Sequence, residues 1–218
     1  MRIITGQYKG RHFDIPRSFK ARPTTDFAKE NIFNVLNGYI DFEGTTALDL
    51  FAGTGSISLE LVSRGCERVI SVEMDRDHAN FIRQCMTKIG TDKHVLIKGD
   101  VFRFLKSCKQ QFDFIFADPP YALKELATIP DLVFRGNGRT RERLRVGDQR
   151  SGMRENEGTG ERLRVGDQGS GMRGNEDTLL KGDGVFVFEH GKDYDFSQHP
   201  HFVEHRSYGS VNFSIFKP

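Results

Sequence analysis

The stretch "TTALDLFAGTGSISLELVSRG", residues 45–65, decides the fold. Its first part, 45–51, is an apolar, strand-forming run. Gly53 and Gly55 then allow a tight turn, and residues from Ser56 to Arg64 follow at helical spacing. Outward from this strand-turn-helix unit the pattern repeats. The strand "RVISVE" (68–73) leads into a helix with Ala79, Ile82, Cys85, Met86 and Ile89 on one face. "HVLIKG" (94–99) precedes a short helix over 101–108, and "FDFIFA" (112–117) is a fourth buried strand. "GVFVFEHG" (184–191) makes a fifth, while "HFVEHRSYG" and "VNFSIFK" close the chain as an antiparallel pair. On the N-terminal side, residues 3–15 read as a hairpin around Lys9-Gly10. A helix follows, capped at Thr25 or Asp26, with Ala28, Ile32, Val35, Leu36 and Tyr39 in register. Pro130 is expected to kink or end a helix that starts after Tyr121. Such alternation specifies an α/β fold: one doubly wound, mostly parallel sheet flanked by helices.

One segment departs from this pattern. "ERLRVGDQRSGMRENE" (142–157) recurs as "ERLRVGDQGSGMRGNE" (161–176), differing only at Arg150/Gly169 and Glu155/Gly174. Two copies, each with isolated Leu, Val and Met among Gly, Arg and Glu, cannot bury enough apolar surface to offset the entropy of ordering. Residues 136–177 are therefore expected to be a disordered, duplicated insert in a single domain spanning 1–218, with 1–24 as a small N-terminal β extension. An Arg/Gly-rich RNA-binding arm is the sharper alternative, but acids nearly balance its arginines.

The chain has 218 residues and a formal net charge of only +2, which on its own says nothing about nucleic acid. The distribution says more. Residues 1–29 hold Arg2, Lys9, Arg11, Arg17, Lys20, Arg22 and Lys29 against Asp14 and Asp26, whereas residues 30–135 are net acidic. Cys66, Cys85 and Cys108 have no CxxC spacing and read as reduced, mostly buried thiols. His199, His201 and His205 read as surface histidines rather than as a metal site, so no metal is expected. There is no run long and apolar enough for a membrane span, and "MRIITGQYKG" lacks a signal peptide's apolar core. A cytoplasmic protein with no membrane partner is the expectation.

Ligands of open α/β sheets bind beyond the carboxyl ends of the strands, and four such ends carry chemistry here. The first is Asp49, Phe51, Gly53 and Gly55. It is a GxG turn whose third dinucleotide-binding glycine is replaced by Ser58. An acid beside this turn disfavours a pyrophosphate, and with it a nicotinamide cofactor, and favours a ligand with a cationic, amino-acid-like end. At the second end Glu73 stands where a carboxylate accepts from a ribose diol. At the third Asp100 can accept from an exocyclic amine, with Val101 or Phe102 over an adenine face. Singly, each acid reads as well as a helix cap or a solvated loop residue. Together they fit S-adenosylmethionine. The fourth end, "ADPPY", is stiffened by proline. There Asp118 and the Pro119 carbonyl can accept from one amino group while Tyr121 stacks on an extruded base. An exocyclic base nitrogen is a poor nucleophile because its lone pair is delocalised. Two acceptors on its hydrogens orient that pair and stabilise the charge that grows on nitrogen.

With these residues in view, "DLFAGTG", "VEMD", "GDVF" and "ADPPY" resemble the class I S-adenosylmethionine-dependent methyltransferases that modify amino groups. "RPTTDFAKENIFNVL" (22–36) after "MRIITGQYKGR" is similar specifically to the bacterial family that methylates guanine N2 in 16S ribosomal RNA. The resemblance covers nearly the whole chain except the insert. It implies a Rossmann-like seven-stranded sheet with a small N-terminal β extension facing RNA. It implies cofactor contacts at Asp49, Phe51, Gly53, Gly55, Glu73, Met74, Asp100 and Val101, and target chemistry at Asp118, Pro119 and Tyr121. Contacts to the RNA are implied at Arg22, Thr24 and Pro120, with Lys9 and Arg11 in the basic N-terminal stretch. The implied partner is 16S ribosomal RNA or the small ribosomal subunit, met by a monomer. Two other readings use the same residues: an adenine-N6 methyltransferase of DNA or RNA, and a nonenzymatic RNA-binding or ribosome assembly protein with a crippled cofactor site.

Overall fold

The computed structural model describes residues 1–19, 25–135 and 178–218. Arg22, Thr24 and the duplicated insert at 136–177 lie outside the described residues. Seven strands, β1 (Thr46–Leu50), β2 (Arg68–Glu73), β3 (His94–Lys98), β4 (Phe112–Ala117), β5 (Leu180–His190), β6 (Phe202–Tyr208) and β7 (Val211–Phe216), form one sheet in the order β3-β2-β1-β4-β5-β7-β6. The first five are parallel, and β7 runs antiparallel to both β5 and β6. This is the Rossmann-like seven-stranded sheet that the motifs implied. Helices α1 (Asp26–Leu36), α2 (Ser56–Ser63), α3 (Arg76–Ile89), α4 (Val101–Ser107) and α5 (Ile129–Phe134) connect and flank it.

Alternation along the strands divides the core into two clusters. Ala47, Val69, Phe114, Phe116, Val185 and Val187 join one with residues of α1, α2 and α3. Leu48, Leu50, Ile70, Val72, Ile115, Ala117, Phe186 and Phe188 join the other, with α4 and α5. A strand covered on both faces has no polar side to show, which explains the unbroken apolar run of β4. Helix α3 buries Ala79, Ile82, Cys85, Met86 and Ile89, the stripe read from the sequence, together with Phe81. The Asp75 side chain caps its first turn by accepting from the backbone N–H of Asp77 and of His78. Thr25 caps α1 in the same way through the N–H of Ala28.

Several local expectations change. The N-terminal hairpin is minimal, with one antiparallel bridge, Arg2 to His12, around a double turn. Pro130 begins a helix rather than ending one. It occupies the first turn of α5, where a missing N–H costs nothing. Strand β5 starts earlier than expected, at Leu180, and its register against β4 shifts between Phe112 and Phe114. Nor are all the C-terminal histidines at the surface. His199 is buried, and His201 stacks on Phe134 with ring centroids 4.0 Å apart.

The N-terminal arm is fastened by a buried ion pair that periodicity does not reveal. Lys29 of α1 and Glu60 of α2 are both fully buried, 3.7 Å apart. Lys29 Nζ also donates to the Arg2 carbonyl at 2.6 Å and to Ser56 Oγ at 3.0 Å. Glu60 accepts from the backbone N–H groups of Ile4 and Thr5, at 2.8 and 3.0 Å, and from Arg64. Gly6 follows with φ +87°, so close to α2 that a Cβ would stand 1.8 Å from the Ser63 carbonyl oxygen.

Candidate active site

Strand register sets the level of the site. Leu50 pairs with Val72 on one side and with Ala117 on the other, and Ala117 pairs with Phe188. The next residue of each strand is therefore Glu73, Phe51, Asp118 and Glu189, side by side along the carboxyl edge of the sheet. Three carboxylates and one aromatic residue thus line that edge at one height.

The glycine turn lies in this row. Phe51 takes φ +60°, unusual for a residue with a side chain, and Gly53 and Gly55 take φ +53° and +75°. Gly55 is doubly constrained, since a Cβ there would come 2.9 Å from Ile82 of α3. Glu73 is buried beside the turn, where Oε2 accepts from the Gly53 N–H at 2.7 Å and Oε1 from the Asp75 N–H at 2.7 Å. An ionised carboxylate has about four acceptor positions, so both oxygens retain capacity for a diol. Met74, next in sequence, is 67% exposed. Asp100 caps α4 through the Arg103 N–H at 2.8 Å. Of the two candidates to cover an adenine, Val101 is buried beneath α4 and Phe102 meets Phe51 edge-on at 6.3 Å.

Asp49 is placed differently from the sequence reading. It is buried under the turn rather than facing a ligand, and its Oδ2 accepts from both the backbone N–H and the hydroxyl of Ser58. The Ser58 hydroxyl is 2.5 Å from that of Ser71, which in turn is 2.7 Å from Nε2 of His94. A line of polar groups thus runs beneath the glycine turn from β1 to β3. Burial pushes the Asp49 carboxyl up to about 7 and the His94 imidazole down to about 4. Ser58, which breaks the dinucleotide fingerprint, is the residue that holds Asp49 in place.

At the fourth strand end the Asp118 N–H is within reach of the Leu50 carbonyl, at 3.4 Å. Pro119 is buried and Pro120 exposed, and the Leu123 N–H closes the turn on the Pro120 carbonyl at 2.8 Å. Tyr121 is 46% exposed. Its hydroxyl donates to Glu189 Oε1 at 3.1 Å, and its ring lies against Gly191. Burial, with the charges of Glu189 and Asp118, raises the pKa of this hydroxyl. Glu189, second residue of "FEHG" near the end of β5, reads from the sequence as a supporting acid or a plain strand terminus; it is only 4% exposed and joins the corner.

Of the basic N-terminal residues, Arg11 and Lys9 stand away from this cluster. Arg11 lies over the Tyr8 ring and donates to the Lys88 carbonyl in the last turn of α3, while Lys9 is exposed nearby. Phe19 packs on His78 and Phe81 in the first turns of the same helix. The chain from Arg11 to Phe19 therefore climbs about 15 Å along α3, from the far edge of the sheet towards the edge that carries the site.

Residues 1–137 match the family described as Conserved hypothetical protein 95. The chain belongs to that family. Among its relatives, YlbH of Bacillus subtilis is 36% identical over 137 residues, 61% of this chain and 73% of that one. Ribosomal RNA small subunit methyltransferase D of Haemophilus influenzae is 36% identical over 125 residues, 56% of this chain and 64% of that one. The latter match thus spans less than two thirds of the relative's length. The structure of a hypothetical protein of Thermus thermophilus superimposes with a TM-score of 0.71 at 22% identity, covering 100% of this chain and 99% of that one. That likeness extends the shared fold through the C-terminal strands, and the relatives' names agree with the resemblance read from the N-terminal motif.

Proposed function

We propose that the protein transfers a methyl group from S-adenosylmethionine to the exocyclic N2 amino group of a guanine in small-subunit ribosomal RNA. One observation carries this reading: the "ADPPY" corner and the glycine turn end neighbouring strands at the same height, so a base and a nucleoside ligand can meet across Phe51 and Asp118. The residues present suit the cofactor. Glu73 retains acceptor capacity for a ribose, Asp100 and Phe102 suit an adenine ring, and the turn around Gly53 has no Cβ that would fill it. Asp49 supports the turn from beneath through Ser58. When bound, the cofactor supplies an electrophilic methyl group on a positively charged sulfur.

The protein's own groups do the rest. Asp118 Oδ and the Pro119 carbonyl accept from the two hydrogens of the target amine, which turns its lone pair out of the base plane. The carboxylate stabilises positive charge as it develops on nitrogen and is placed to receive the proton the amine sheds. The Tyr121 ring offers a face on which the extruded base stacks. The working context proposed with this activity is a cytoplasmic monomer acting on 16S ribosomal RNA or the small-subunit particle.

Tritium transfer from labelled S-adenosylmethionine to small-subunit RNA or particles tests the proposal. Asp118→Ala is expected to lower transfer at least about 100-fold with cofactor affinity unchanged. Normal transfer by that variant would overturn the mechanism. Labelled N6-methyladenine in the digested product would point to the adenine reading, and failure of the cofactor to bind by calorimetry to the nonenzymatic one.

A further inference from the structure

Glu189 sits one strand away from the reacting corner, and nothing in the reading above uses it for more than contact with Tyr121. The pairing of Ala117 with Phe188 sets Glu189 level with Asp118 on the adjacent strand. It is 4% exposed, and its Oε1 holds the Tyr121 hydroxyl at 3.1 Å. Burial raises the pKa of that hydroxyl, and the charges of Glu189 and Asp118 add to it. Antiparallel pairing of Glu189 with Phe213 fixes its backbone from the other side. A buried acid is thus held firmly beside Tyr121, one strand from Asp118.

We infer that Glu189 is the specificity-determining acceptor for the target base, taking the N1–H of guanine while Asp118 and Pro119 hold the N2 amine. This rests on the base-methylating reading of the corner and names what selects the base. Guanine presents two adjacent kinds of donor, N1–H and the N2 amine, and suits two adjacent acids. Adenine presents its N6 amine beside N1, a lone pair, which would meet the carboxylate of Glu189 head-on. The two oxygens of a carboxylate offer about four acceptor positions, so accepting from Tyr121 and from N1–H are compatible roles. A site built to hydrogen-bond one group rejects the analogue lacking it far more strongly than an apolar pocket does.

2-Aminopurine tests this directly, since it keeps the N2 amine and replaces N1–H with a lone pair. The probe is a ligated 16S ribosomal RNA carrying 2-aminopurine in place of the guanine that the wild-type protein methylates. Wild type is expected to prefer guanine by about 100-fold or more in kcat/KM. Glu189→Gln, whose amide can donate as well as accept, is expected to lose most of that preference while binding the cofactor normally. Equal use of the two bases by wild type would overturn the inference without any variant. So would a Glu189→Gln protein that retains the full preference, since a merely structural role would lower both rates together. If wild type methylates no guanine at all, the reading of the function fails instead, and the two failures are told apart by that first measurement.

Discussion

Asp49 and His94 show how burial sets the charge of single groups here. The Asp49 carboxyl, ordinarily at 3.8, is raised to about 7, chiefly by desolvation and against the hydrogen bonds from Ser58. Between those values the native chain holds a proton that the unfolded chain has shed. The associated stability is complete below about pH 4 and is lost as pH rises through 7, an effect on the order of a few kcal/mol. His94 works in the opposite sense. Its imidazole falls from 6.5 to about 4, so the native state loses stability as pH drops through that window. Asp49→Asn keeps an acceptor for Ser58 and removes the ionisation. Calorimetric melts should find the variant more stable than wild type at pH 8, with the difference closing towards pH 4. At lower pH its melting temperature should fall more steeply than that of wild type, because the slope from His94 is no longer opposed. A difference independent of pH would mean that the Asp49 carboxyl does not titrate in this range.

At the scale of elements, the arm, α1 and α2 are joined through one buried node. Burial lowers the pKa of Lys29 while the charge of Glu60 raises it, and burial dominates. An ion pair of this kind adds little by itself, yet removing Lys29 leaves the buried Glu60 with one cation, Arg64, in place of two. Lys29→Met should cost about 3–5 kcal/mol in chemical denaturation. Glu60→Gln should cost less, since the amide oxygen can still accept from Ile4 or Thr5. Limited proteolysis should then show cleavage near Gly6 in Lys29→Met before the sheet opens. If the two variants lose equal stability, the hydrogen bonds to the arm and not the buried charges hold the node. The C-terminus of the arm packs on the first turns of α3, so loosening it is expected to reach the edge of the sheet where the site lies.

At the scale of the whole molecule, the chain on either side of residues 136–177 is drawn together. The Leu179 N–H donates to the Val133 carbonyl at 2.9 Å, and Thr178 reaches the same oxygen at 3.4 Å. Because α5 and β5 already meet there, deleting residues 137–176 asks only for a short link between two adjacent ends. The shortened protein is expected to melt within a few degrees of wild type and to transfer methyl groups at an unchanged rate. Loss of transfer with the melt intact would give the duplicated segment a part in substrate binding. The family match ends at residue 137, just past the start of this segment, while the fold match runs through both sides of it. No helix among the described residues is long and apolar enough to cross a membrane.

What could be read without coordinates was local. Helical spacing marked the buried stripe of α3, unbroken apolar runs marked β1, β4 and β5, and glycine and proline marked the turns that carry the candidate site. Each of these signals lies within a few residues, where backbone sterics and side-chain period act directly. The fold class followed from them. The same reasoning misplaced Pro130 and did not show that Asp49 and Val101 are buried, since position along the chain does not say how deep a side chain lies. It offered Glu189 as an acid behind the site or a plain strand terminus without showing that it stands level with Asp118, and it missed the Lys29–Glu60 node and the line from Asp49 to His94. Those are meetings between residues distant in sequence, made by strand order and helix docking, and packing a shared core is what brings them within hydrogen-bond reach.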